Sequence, residues 1–161
     1  MNDWDCAMMQ LALEEAEHAE TDGEVPVGAV LTMGGNIIAK GHNRSISLAD
    51  PSAHAEIQVL REAGKKMNNY RLSDATLYVT LEPCLMCAGA ILHARLARLV
   101  FGASDPKAGA VVSLFQVLHD KRLNHTVEIE SGLLQEDCGK LLSRFFQKKR
   151  VIAPTDLIIE I

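Results

Sequence analysis

Apolar residues recur at helical spacing from Asp3 to about Thr21, with Trp4, Met8, Leu11, Ala12, Ala16 and Ala19 on one stripe. The spacing predicts an amphipathic first helix. A β-branched run covers Val25 to Thr32, and Gly34-Gly35 turns it into a second run from Asn36 to Lys40, the signature of a hairpin. Gly41 to Pro51 is polar and reads as a loop. Helical spacing returns from Ala53 to Ala63, with Asp50 or Ser52 as its cap and Pro51 near its start. Ala75 to Leu81 has the continuous apolar pattern of a buried strand. Glu82-Pro83 then opens a helix from Cys84 to about His93, Pro83 suiting a first turn where no N–H is needed. Arg98 to Phe101 and Thr126 to Ile129 read as short strands, Leu114 to Leu118 as a short helix, and Leu133 to about Val151 as a long final helix. A hairpin followed by alternating helices and strands predicts an α/β fold of three layers. Its mixed sheet of about five strands is covered by helices on both faces and joined by right-handed parallel crossovers.

The length of 161 residues and 48% hydrophobic content predict one compact domain over residues 1–161, with 154–161 as a peripheral tail. No segment approaches the run of about 18 apolar residues of a membrane span. The acidic N-terminus lacks the layout of a signal peptide, so the expected location is cytoplasmic. In that reducing compartment the four cysteines are not expected to pair as disulfides. Cys6 and Cys138 read as buried free thiols, whereas Cys84-x-x-Cys87 reads as a metal or redox pair. The net charge of −5 favours a small-molecule substrate over nucleic acid unless basic residues are concentrated locally. They are so concentrated in the last helix, where Lys140, Arg144 and Lys148 form one stripe followed by Lys149 and Arg150.

Two segments carry the chemistry: His54-Ala55-Glu56 and Pro83-Cys84-Leu85-Met86-Cys87. Each falls at the start of a predicted helix, and Cys84 and Cys87, three apart, project from one face of their turn. One imidazole and two thiolates give zinc three protein ligands and leave the fourth tetrahedral position to water, the pattern of a catalytic site. Two helix N-termini aimed at the ion favour the anions there. Glu56 is not needed as a ligand and stands where it can carry protons between water, a ring nitrogen and departing ammonia. Either motif alone is weak. Together, in this order, they form the signature of zinc-dependent base deaminases. A closed structural zinc site would need a fourth Cys or His, and none lies next to either motif.

With these motifs, the chain resembles the bacterial tRNA-specific adenosine deaminases of the TadA type, within the cytidine deaminase superfamily. The resemblance runs from about Trp4 to Val151. It is carried by Glu24-Val25-Pro26-Val27-Gly28-Ala29-Val30, Asn43-Arg44, Ala53-His54-Ala55-Glu56-Ile57, Asn69-Tyr70-Arg71-Leu72, ATLYVTLEPCLMCAGA from Ala75 to Ala90, and Phe101-Gly102-Ala103 with Asp105. It implies a cytidine deaminase-like fold and one Zn2+ per subunit on His54, Cys84 and Cys87, with Glu56 as the catalytic proton shuttle. It also implies that Asn43 hydrogen-bonds a flipped base, that Val27 and Ala55 line the pocket, and that Phe146, Lys148 and Arg150 meet a tRNA anticodon stem-loop. The implied enzyme is a homodimer, free of membranes, that converts the wobble adenosine to inosine. An already unstacked loop nucleotide suits such a reaction, because extracting it costs less than flipping a duplex base.

Plainer roles stand beside these. Asn43 also fits a turn, Phe145-Phe146 a core position, and His18, His42, His93, His119 and His125 ordinary surface, capping or core histidines. The competing functions are a free-base or nucleoside deaminase acting on guanine, cytosine or cytidine, and a catalytically silent zinc or RNA-binding subunit. The intact Glu56 argues against the silent one.

Overall fold

The computed structural model describes residues 1–152; the expected tail at 154–161 lies outside them. The chain forms α1 (Asp3–Thr21), β1 (Gly28–Met33), β2 (Asn36–His42), α2 (Ala55–Met67), β3 (Ala75–Leu81), α3 (Leu85–His93), β4 (Arg98–Ala103), β5 (Glu128–Ser131) and α4 (Gln135–Ile152). The five strands lie in the order β2-β1-β3-β4-β5. β1 is antiparallel to β2 and to β3, whereas β3, β4 and β5 are mutually parallel. The α/β fold with a mixed five-stranded sheet between helix layers is therefore the one the pattern predicts.

Period-two alternation builds two cores. Leu31, Leu77, Val79, Leu99 and Phe101 pack with Val59 of α2 and Ile91 of α3. The residues between them, Val30, Tyr78 and Val100, pack on the other face with Met9, Ala12 and Ala16 of α1 and Leu141 of α4. Helix α1 lies so close to β1 that a Cβ at Gly28 would run into the Ala12 carbonyl.

The direction of the strands decides where chemistry can occur. β2, β3 and β4 all end at one edge of the sheet, and antiparallel β1 begins there. The segment before β1, both helix starts and the loop after β4 therefore meet at that edge, as expected at the carboxyl ends of strands in open α/β sheets.

Several expected boundaries move. β5 spans Glu128–Ser131 because these residues, not Thr126 and Val127, pair with β4. Left-handed backbone at Leu134 (φ 52°) delays α4 to Gln135. The short helix expected at Leu114–Leu118 is only a 3-10 turn, Val117–His119. Cys6 is exposed rather than buried, whereas Cys138 is buried as expected.

A buried charge pair ties α1 to the far edge. Asp5, 1% exposed, accepts from the Tyr78 hydroxyl at 2.7 Å and from two guanidinium nitrogens of Arg98 at 2.8 and 3.0 Å. Hydrogen bonds from Arg98 hold the Asp5 carboxyl far below the usual carboxylate range, against the upward push of burial. A depressed folded pKa contributes stability that is present above the unfolded value near 4 and is lost as pH falls below it. Asp5→Asn should therefore lose about 3 kcal/mol at pH 7, the cost of breaking a buried pair. In chemical unfolding the gap between the two proteins should narrow as pH drops from about 5 to about 3. A gap independent of pH would contradict this account.

Candidate metal centre and active site

Helices α2 and α3 begin in the same unusual way. Their N-caps are His54 (φ −72°, ψ 156°) and Cys84 (φ −74°, ψ 177°), and neither side chain makes a capping hydrogen bond. Ser, Thr, Asp or Asn there would stabilise each helix by about 1 kcal/mol. These side chains turn toward each other instead. Nδ1 of His54 lies 3.6 Å from Sγ of Cys84 and 3.6 Å from Sγ of Cys87, and all three donors fall within 4.8 Å of one another.

That spacing fits a tetrahedral ion. Bond lengths of about 2.3 Å to sulfur and about 2.05 Å to nitrogen place the two donors about 3.6 Å apart at the tetrahedral angle. The trio also shares protons in a way that suits a cation. The Cys87 thiol, donating to Cys84, and the neighbouring His54 lower the Cys84 thiol to about 4 against burial. Cys87, as that donor and buried, is held high. The hydrogen bond to Cys84 raises His54. A metal entering the trio displaces the remaining protons, so its affinity falls as pH falls.

Glu56, the second residue of α2, is buried, and burial pushes its carboxyl up to about 7. Ala55 is also buried, and its N–H donates to Oδ1 of Asn43 at 2.8 Å. Asn43 is thus the cap of α2, supplied from the end of β2, and the expected caps are otherwise engaged. Asp50 Oδ1 accepts from the Ser52 N–H at 2.8 Å and from its hydroxyl at 2.7 Å. With its oxygen engaged by the helix, Asn43 has its side-chain NH2 left to serve as a donor. The Asn43 N–H in turn donates to the carbonyl of buried Val27 at 3.1 Å. Pro83 precedes the N-cap instead of occupying the first turn, and its carbonyl accepts the Ala110 N–H at 2.9 Å.

His54, Glu56, Cys84, Cys87, Asn43, Val27 and Ala55 therefore come together, whereas Phe146, Lys148 and Arg150 lie on α4, in the other helix layer. Phe145 is buried and Phe146 is 36% exposed, so only the second faces outward. The basic stripe is partly neutralised: Arg144 and Lys148 reach Glu20 of α1 at 2.6 and 3.6 Å, and Lys140 reaches Glu136 at 3.9 Å. Glu20 stands near the end of α1, so the stripe is anchored close to the active edge.

Two buried glutamates were missed by the sequence pattern. Glu24 accepts the N–H groups of Ile46 and Ser47 at 3.1 and 2.7 Å, holding the loop that follows Asn43. Glu82 accepts N–H groups from Asp105, Val111, Val112 and Ser113 at 2.7 to 3.1 Å, together with the Ser113 hydroxyl. The loop passes so close that a Cβ at Gly109 would strike the Glu82 carboxylate. Burial raises the Glu82 carboxyl, but the Ser113 hydroxyl and these N–H groups outweigh it and leave the pKa lowered. A signal was available: a carboxylate ending a fully apolar strand must find donors.

A family model described as MafB19-like deaminase matches residues 2–150. The chain belongs to the MafB19-like deaminase family. Among curated relatives, this deaminase is 57% identical over 150 residues to the tRNA-specific adenosine deaminase of Haemophilus influenzae, covering 92% of this chain and 87% of that one. It is 50% identical over 142 residues to the tRNA-specific adenosine deaminase of Bacillus subtilis, covering 88% of each. A solved structure from work on A-to-I editing by tRNA:A34 deaminases at the wobble position superposes with a TM-score of 0.82 at 46% identity, covering 84% of this chain and 99% of that one. The guanine deaminase of Nitrosomonas europaea shares the fold, with a TM-score of 0.77 at 24% identity, covering 87% of this chain and 83% of that one. The resemblance read from the motifs is borne out.

Glu82→Gln should cost about 3 kcal/mol, since an amide cannot accept from five donors and its NH2 opposes the backbone N–H groups. Urea unfolding measures this, and a loss below about 0.5 kcal/mol, the size of an ordinary surface change, would contradict the role given to Glu82.

Proposed function

We propose that this protein hydrolytically deaminates the wobble adenosine of a tRNA anticodon loop to inosine, with one zinc ion held by His54, Cys84 and Cys87. The observation that carries this reading is the 3.6 Å spacing of His54 Nδ1 from both sulfurs, with buried Glu56 two residues away. A zinc ion held by these three donors would supply the reaction with a water of near-neutral pKa.

The chain's own residues do the rest. Glu56, with a carboxyl near 7, takes the two protons of the attacking water in turn, passing one to N1 of the adenine ring and the other to the 6-amino group, which leaves as ammonia. One water enters, one ammonia departs, and Glu56 ends as it began. Asn43 donates from its amino group to a ring acceptor of the flipped base, its oxygen being engaged by Ala55. Val27 and Ala55 form the apolar wall behind the base. Phe146 stacks on a loop nucleotide, and Arg150 and Lys148 meet phosphates, Lys148 exchanging Glu20 for RNA. Binding through these local cations in a chain of net charge −5 should weaken as salt rises, with a modest slope because few phosphates are engaged.

The same reading includes a homodimer. Leu85, Met86, Val112, Leu114 and Phe115 are exposed at the start of α3 and in the loop after β4, and a second copy over them would remove them from water. None of the described helices is long and apolar enough to cross a membrane, which accords with a cytoplasmic enzyme acting on tRNA.

Single-turnover assays on an adenosine-bearing anticodon stem-loop, beside free adenosine, guanine and cytidine, test the proposal. The stem-loop alone should yield inosine, and Glu56→Ala should lower the rate about a thousandfold while zinc content is unchanged. Reaction of guanine or cytidine with none of the stem-loop would overturn the substrate assignment.

A further inference from the structure

Away from the cysteines, α1 and β2 bring together a second group of metal-ligating side chains. Glu15 and His18 stand three apart on α1 and so share a face. His42 ends β2 beside them. Oε2 of Glu15 lies 2.9 Å from Nδ1 of His42 and 3.8 Å from Nδ1 of His18, and the three donors fall within 4.8 Å of one another. Nothing in the sequence pairs these histidines with partners, because Glu15 and His42 are 27 residues apart and only the packing of α1 on the hairpin unites them.

We propose that Glu15, His18 and His42 form a second divalent-cation site, for an ion of the zinc or nickel type. A tetrahedral ion with bonds of about 2.1 Å sets its donors about 3.4 Å apart. Glu15 and His42 need to part by a few tenths of an ångström, and His18 closes the rest. Its side chain is 66% exposed and has room to move, while those of Glu15 and His42 are held at 14% and 17%.

The other ring nitrogen of His42 supports the assignment. Nε2 faces Oδ2 of Asp22 at 3.5 Å. A carboxylate on the far nitrogen orients a metal-binding imidazole and strengthens it as a ligand. Two imidazoles and one carboxylate suit zinc, nickel or copper, whereas magnesium and calcium require oxygen donors. Two carboxylates, those of Glu15 and Asp22, stand at this spot, and a cation bound there would lie beside them.

Occupancy would tie the end of α1 to the end of β2. His42 immediately precedes Asn43, whose oxygen caps α2. The ion therefore braces the strand that presents Asn43 without sharing any residue with the cysteine centre.

The test is calorimetric titration of the purified holoprotein with NiCl2, and separately with MgCl2, alongside elemental analysis of zinc. The wild type should bind one nickel per chain, with zinc content unchanged and no heat from magnesium. His18→Ala, a change at an exposed side chain that leaves the core packing intact, should weaken nickel binding at least about tenfold, and Asp22→Asn should weaken it less. Absence of nickel binding up to about 1 mM, an unchanged isotherm in His18→Ala, or nickel uptake matched by zinc loss would each overturn the site.

Discussion

Two helix starts stand close enough to bring one imidazole and two sulfurs together as a donor set that could hold a metal ion. Nearly every other feature of this fold serves that constraint. The 3.6 Å separations of His54 from Cys84 and Cys87 join α2 to α3, which follow different strands. They can meet because β2 and β3 run in the same direction with β1 antiparallel between them. Both strands therefore deliver their helices at one edge of the sheet. Reversing either strand would send its helix to the opposite edge, and no local adjustment could restore the trio.

Three buried glutamates then divide the work by what surrounds them. Glu24 and Glu82 face rows of backbone N–H groups and act as fixed anions that shape the loops on either side of the site. Glu56 has no such row, so burial leaves its carboxyl near neutrality, where a proton can be taken and given back. Environment alone sets Glu56 apart from the two fixed anions. Asn43 completes α2 with its side-chain oxygen.

The sequence made the architecture and the trio legible because both are local patterns. Ala75–Leu81 was readable to the residue as a strand of continuous apolar character, and Cys84-x-x-Cys87 depends only on the geometry of one helical turn. What it hid is non-local. Asn43 reads as a turn residue until α2 is seen to need a cap from outside, Asp50 and Ser52 having bonded to each other. Leu114–Leu118 reads as helix, but the N–H groups of Leu114 and Phe115 both go to the Gly109 carbonyl and that of Val117 to the Ala110 carbonyl, after a loop that Glu82 gathers from some thirty positions away. The basic stripe of α4 looked open to RNA, since nothing in its own segment announces Glu20 of α1.

Zinc K-edge X-ray absorption on the purified protein tests the central claim most directly. Two sulfurs at about 2.3 Å and two lighter atoms, one from His54 and one from solvent, at about 2.0–2.1 Å are expected. Four protein donors closing the coordination shell, or a shell without sulfur, would contradict it.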